Sequence, residues 1–195
     1  MPRRLILASQ SPRRKELLSQ LLPAFEIKPS DAEESSDASL GIEPLAELNA
    51  ALKADWIANQ EPDAVVLGSD TIVTIDDLAL GKPKTREEAE SMLIRLQARR
   101  HRVVTGVCLV HRESNAREQF SISTSVEFKS LDRAAIQHYL NLINPFDKAG
   151  GYAIQEYGDF IIKGIQGSYN NVVGLPTEAL ASRLEKWGYS IIGER

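Results

Sequence analysis

The chain has 195 residues, is 43% hydrophobic and carries a net charge of −4. That is enough to bury one full core over residues 1–195, and too acidic for a nucleic-acid polymer to be the main partner. No run approaches the roughly 18–20 apolar residues of a membrane span, so no membrane partner is expected. The basic start Met1-Pro2-Arg3-Arg4 is followed by only the short apolar run Leu5–Ala8, which falls short of the roughly 7–15 residues of a signal-peptide core. A single cysteine, Cys108, sits between Val107 and Leu109. It cannot form an internal disulfide, and it points to a buried strand residue and a cytoplasmic location.

Leu5-Ile6-Leu7-Ala8 reads as a short buried strand. Beyond it, Leu17, Leu18, Leu21 and Leu22 recur at helical spacing, with Ser11 as N-cap and Pro12 as first helical residue. Arg13 and Arg14 then fall in the first turn, at the positive end of the helix macrodipole, where cations are disfavoured unless an anion binds. Free backbone N–H groups, the Ser9 and Ser11 hydroxyls and two guanidiniums converge there, which suits a polyphosphate.

The Ser-, Asp- and Glu-rich stretch of residues 30–44 is expected to be an exposed, mobile loop. A helical stripe of Leu45, Leu48, Leu52 and Trp56 follows. Residues from about 64 to 75 suggest a long central strand, which Asp76-Asp77 turns into a hairpin. Thr85 to Glu88 reads as a capping box opening a helix to about Leu96. The cluster of Arg95, Arg99, Arg100, His101 and Arg102 is expected to be a solvated helix end and turn. Two β runs, about 102–112 and 119–130, flank a turn at Glu113-Ser114-Asn115. Asp132 caps a helix to about Asn141, the glycine-dense region 150–174 reads as short strands and turns, and a last helix runs from about Thr177 to Trp187. The pattern predicts an α/β fold around a mixed sheet.

Asp70, between Val65-Val66-Leu67 and Ile72-Val73, would be costly to bury without a cation, a metal or hydrogen bonds. It reads as a metal ligand, as a base that orients water, or as a structural partner of an arginine. Lys82, in Gly81-Lys82-Pro83, is stiffly presented after the hairpin. Lys53 lies in an apolar setting among Ala50, Ala51, Leu52 and Ala54. Asp31, Glu33 and Glu34 form an acidic run. A glutamate from it, with Asp70, would meet the need of Mg²⁺ or Mn²⁺ for carboxylates from more than one segment. His101, His111 and His138 lack zinc spacing, and neither GxxxxGK[ST] nor GxGxxG after a strand occurs.

Leu7-Ala8-Ser9-Gln10-Ser11-Pro12-Arg13-Arg14-Lys15-Glu16-Leu17-Leu18 resembles the opening motif of the Maf family of nucleoside triphosphate pyrophosphatases. Gly68-Ser69-Asp70-Thr71-Ile72-Val73, Gly81-Lys82-Pro83, His101 to Gly106, Asp147-Lys148-Ala149-Gly150-Gly151-Tyr152-Ala153-Ile154-Gln155, Gly167-Ser168-Tyr169 and Val172-Val173-Gly174-Leu175-Pro176 resemble its later blocks in the same order. The likeness spans essentially the whole chain.

The resemblance implies a long mixed β-sheet with flanking helices forming a two-lobed cleft, related to the inosine triphosphate pyrophosphatases. It also implies hydrolysis of a nucleoside triphosphate to monophosphate and pyrophosphate with Mg²⁺ or Mn²⁺, a homodimer, and a historical link to septum formation. By position it makes Asp70 the catalytic proton acceptor and Ser9, Arg13, Arg14, Lys53 and Lys82 substrate-binding. Glu34 and Asp70 become metal-side carboxylates, and Arg13, Thr71 and Gln155 set specificity. Thr71 and Ala153-Ile154-Gln155 resemble the branch acting on dTTP and UTP, with Gly151 where that branch commonly has alanine. The Gln155 amide offers a donor and an acceptor, enough to read the edge of uracil or thymine. A 7-methyl-GTP or damaged-purine substrate, and a non-catalytic nucleotide-binding regulator of cell division, are the alternatives.

Overall fold

Three long strands carry the architecture of the computed structural model, which describes residues 3–192. Met1, Pro2 and the last three residues lie outside the described part. The strands are β3 (Val65–Ile75), β5 (Arg100–His111) and β6 (Ala116–Phe128). They pair antiparallel in the order β3-β5-β6. β1 (Leu5–Leu7) and β2 (Glu26–Ile27) add in parallel on one side, and β7 (Ile162–Gln166) closes the other. β4 (Leu78–Leu80) folds back on the end of β3, giving seven strands in an open mixed sheet. The β3–β4 connection is the expected two-residue turn, with Asp76 and Asp77 both at positive φ, the geometry that matches strand twist.

Among the described residues seven α-helices accompany the sheet: α1 (Pro12–Ser19), α2 (Ile42–Ala58), α3 (Arg86–Leu96), α4 (Arg133–Leu142), α5 (Gly158–Ile161), α6 (Tyr169–Val173) and α7 (Thr177–Lys186). Ser11, Thr85 and Asp132 cap their helices as expected. Only half of the capping box forms, because Glu88 accepts from the Lys84 N–H rather than from Thr85. No helix among the described residues is long and apolar enough to cross a membrane.

Side chains alternate across the long strands, so each strand serves two layers. On one face, Val65, Leu67, Val107, Leu109 and Phe120 pack with α1 and α7. Further along the same face, Val73, Ile75, Val103, Val126 and Phe128 pack with α3 and α4. Between these two apolar cores lies a belt of hydroxyls and amides. Thr71 and Thr105 oxygens are 3.0 Å apart, the Thr105 hydroxyl donates to the Asn171 carbonyl, and Asn171 Nδ2 donates to Thr124. α6 is thereby held across the sheet between the two cores.

The opposite face carries α2. The predicted stripe of Leu45, Leu48, Leu52 and Trp56 is buried only at Leu45: Leu48 and Leu52 are half-buried, Trp56 is 45% exposed, and the buried row along the helix is Ala46, Ala50, Ala54 and Ala58. The reason is the sheet beneath. A Cβ on Gly68 would collide with the Ala50 carbonyl, and one on Gly106 with that of Ala46. The helix backbone therefore rests directly on the strands, and only small residues fit below it.

Three further expectations change. Residues 30–44 are not wholly loop, since α2 begins at Ile42. The glycine-dense region holds α5 and α6 as well as turns and a strand. Arg100, His101 and Arg102 are strand residues of β5 rather than a solvated helix end. The His101 ring is buried, with Nε2 2.8 Å from the Tyr152 hydroxyl and Phe128 edge-on at 4.9 Å. Cys108 is buried on β5 as expected, and burial pushes its thiol up to about 11.

Gly106→Ala is expected to lower unfolding free energy by about 3 kcal/mol, the upper range for overpacking, as read by urea denaturation. A loss below about 1 kcal/mol would mean that α2 can back away from the sheet. Burial also pulls the His101 pKa from 6.5 down to about 4. Between those values the unfolded chain binds a proton that the fold excludes, so stability falls with falling pH across that window. The contribution is at most about 3 kcal/mol. His101→Phe should flatten that part of the melting-temperature profile, whereas parallel profiles would show that the folded ring takes up a proton as readily as the unfolded one.

Candidate active site

A cleft of about 1250 Å³ opens where the sheet has a gap. β1 pairs with β3 only as far as Leu67, whose carbonyl accepts from the Ala8 N–H at 2.8 Å. β4 takes up the same edge only from Val73. On that edge residues 68–72 have no strand beside them, and Asp70, Thr71 and Ile72 line the cleft, at the carboxyl end of β1, where open α/β sheets bind ligands.

One wall is built from the turn after β1. The Ser9 hydroxyl accepts from the Ser11 N–H at 3.2 Å, and Ser11 caps α1 through the Arg14 N–H. Arg14 is gripped from two sides. Its Nε donates to the Gly174 carbonyl at 2.9 Å, and its Nη2 donates to the Thr71 hydroxyl at 3.0 Å. Gly174 has a φ of +129°, which lets its carbonyl also accept from the buried Ser69 hydroxyl. Burial pulls the Arg14 pKa down, opposed by the charges of Asp70 and Glu34. Arg13 points across the cleft instead, donating to Asp147 Oδ2 at 2.8 Å and to the Asp147 carbonyl at 3.2 Å.

The facing wall comes from α2 and the acidic segment. Asp70 lies two residues beyond Gly68 and shares its face, so the close seating of α2 delivers Lys53 to it. Lys53 Nζ stands 2.6 Å from Asp70 Oδ1 and 2.6 Å from Glu34 Oε1. Asp70 is only 7% exposed, and this ammonium is the cation that its burial demanded. Glu34 is carried there by a segment pinned to α2, because Ser35 pairs through its backbone with Asn49.

Lys82 and Gln155 are exposed on the cleft rim, and neither side chain bonds to another residue among those described. The Thr71 hydroxyl is held between Arg14 and Thr105. All eight residues singled out by position therefore line one cleft: Ser9, Arg13, Arg14, Glu34, Lys53, Asp70, Lys82 and Gln155. Several contributors carry no sequence signal. Asn49, Thr105 and Asn171 look like ordinary helix and strand residues. Lys148, buried against Asp147, Glu156 and the Asn144 carbonyl, fixes the carboxylate that holds Arg13.

Two oxygen ligands from different segments converge on one cation position, which suits a hard divalent ion. Among the described residues no group of three or more His, Cys, Asp or Glu could hold a metal. Glu34 and Asp70 would therefore hold one only together with phosphate oxygens, as Mg²⁺ sites commonly do.

The protein-family profile described as Maf-like protein matches residues 4–187. A dTTP/UTP pyrophosphatase of Ruminiclostridium cellulolyticum is 44% identical over 97% of this chain and 99% of its own length. Proteins of the same name from Akkermansia muciniphila and Bacillus velezensis are 42% and 43% identical, over 94% and 96% of this chain and 96% and 98% of theirs. With the open mixed sheet and the charged cleft that its motifs converge on, the chain belongs to the Maf family.

Proposed function

We propose that this protein is a nucleoside triphosphate pyrophosphatase that hydrolyses dTTP and UTP to the monophosphate and pyrophosphate. The observation that carries the reading is the pairing of opposite walls in one cleft. Asp70 and Glu34 share an ammonium on one side, and the Arg13–Arg14 helix start stands on the other. The family membership supports the reaction class, and the names of the relatives support the pyrimidine base.

A triphosphate entering the cleft presents more negative charge than a carboxylate, so it draws the Lys53 ammonium away from Asp70. The freed carboxylate accepts a proton from water attacking the α-phosphorus. The α–β phosphoanhydride bond breaks, and its electrons leave with pyrophosphate. Arg14, rigidly held, Lys82 on the rim, and Arg13, once it exchanges Asp147 for a phosphate, neutralise charge on the phosphates as the bond opens. Ser9 orients a phosphate oxygen. A divalent cation held by Glu34 and Asp70 with the substrate would supply further charge neutralisation. Gln155 reads the base edge, while Thr71 acts through the Arg14 guanidinium that it fixes. A homodimer, a cytoplasmic setting and one catalytic domain over the chain belong to the same proposal.

Pyrophosphate release from dTTP, UTP, CTP, dITP and 7-methyl-GTP with Mg²⁺ or Mn²⁺ tests the reading. Release from dTTP and UTP, abolished by a chelator, is the expected result. Preference for another base would retain the chemistry and refute the role of Gln155. No release from any nucleotide by folded protein would instead favour a binding module. Asp70→Asn should lower kcat by about 10²–10⁴-fold, the range for a lost general base, while nucleotide still binds in calorimetry. Near-normal turnover in that variant would remove Asp70 from the chemistry.

A further inference from the structure

We propose that Asn49 is a positioning residue that locks the Glu34 segment to Asp70, so that the two carboxylates meet at Lys53. The kinetic part of this inference rests on the pyrophosphatase reading. Asn49 is 3% exposed, on α2 one turn before Lys53, and therefore on the same helix face. Its carboxamide has three polar neighbours. The Ser35 N–H donates to Oδ1 at 2.8 Å, while Nδ2 donates to the Ser35 carbonyl at 3.1 Å and to Asp70 Oδ2 at 3.4 Å.

One donor and two acceptors surround a group that offers one acceptor and two donors, so its orientation is determined. Holding both the N–H and the carbonyl of Ser35 fixes the peptide groups on either side of it, the first of which joins it to Glu34. Between Lys28 and Gly41, the residue that opens α2, this segment is bonded to the rest of the described protein through Ser35 with Asn49 and Glu34 with Lys53. Nδ2 also takes Asp70 Oδ2, leaving Oδ1 to Lys53. An aspartate here would keep the shape but place a third anionic group against Asp70 and the Ser35 carbonyl.

Two readouts test the lock. Amide hydrogen exchange in the 33–37 segment needs no activity: the Ser35 amide, bonded to Asn49, should be protected in the wild-type chain and lose that protection in Asn49→Ala. The second is a double-mutant cycle with Glu34→Ala on dTTP turnover. Asn49→Ala alone should lower kcat/KM about 10- to 100-fold, the range for outer-shell partners of a site, with most of the loss in kcat. In the Glu34→Ala background the same change should cost less than about threefold, because coupled residues do not act independently. Asn49→Asp should be at least as damaging as Asn49→Ala.

Unchanged protection, or effects that simply multiply, would overturn the inference. Should Asn49→Ala fail to fold, Ser35→Pro removes the same N–H from the segment side. It is then expected to couple to Glu34→Ala in the same way. A wild-type chain inactive on every nucleotide would sink the functional reading and leave the exchange measurement to decide the lock.

Discussion

The seating of α2 on the sheet at Gly68 and Gly106 is the constraint on which the rest of the structure depends. With no Cβ at either position, the helix carbonyls of Ala46 and Ala50 come down onto the sheet backbone. Everything on that face is then at short range. Asp70, two residues beyond Gly68, meets Lys53 and Asn49 directly, and through them Glu34. A helix seated at ordinary distance, on leucines, would leave a buried carboxylate without its cation, an arrangement that costs several kcal/mol.

The other face solves a different problem. Two apolar cores share β3, β5 and β6, and a polar belt separates them. Ser69, Thr71, Thr105 and Thr124 supply hydroxyls at the level where α6 crosses, and Asn171 closes the network. Each buried polar group there has a partner, except that Asn171 Oδ1 finds none among the described residues. The belt ends at Arg14, so a guanidinium at the cleft wall is supported from within the fold rather than from solvent. Arg13, one residue away, is held among the described residues by Asp147 alone. Neighbouring arginines on one helix turn are thus suited to different tasks, one fixed and one able to exchange its partner for a phosphate.

The candidate site was legible in the sequence wherever a residue contradicted its surroundings. Asp70 in an apolar strand, Lys53 among alanines and two arginines at a helix start each pointed to a missing partner, and the fold supplies those partners within one cleft. Residues that suit their local context gave no such signal. Asn49 in a helix, Thr105 in a strand and Lys148 in a loop act only through neighbours brought from far along the chain. The leucine and tryptophan stripe on α2 misled for the same reason. Helical periodicity reports which side is apolar, but the strand glycines opposite decide which side can approach.

The sequence by itself determined the local elements: the caps at Ser11, Thr85 and Asp132, the two-residue turn at Asp76-Asp77, and the long strands. These rest on interactions within a few residues, which local pattern encodes. Its ordered motifs also determined the family. The tertiary structure alone decided that α2 packs by its alanines, that His101 is a buried strand residue, and that Lys53 bridges Glu34 and Asp70. The first and third depend on how closely α2 can approach the sheet, a distance fixed by the two strand glycines, and the burial of His101 depends on Phe128 and Tyr152, brought against it from far along the chain.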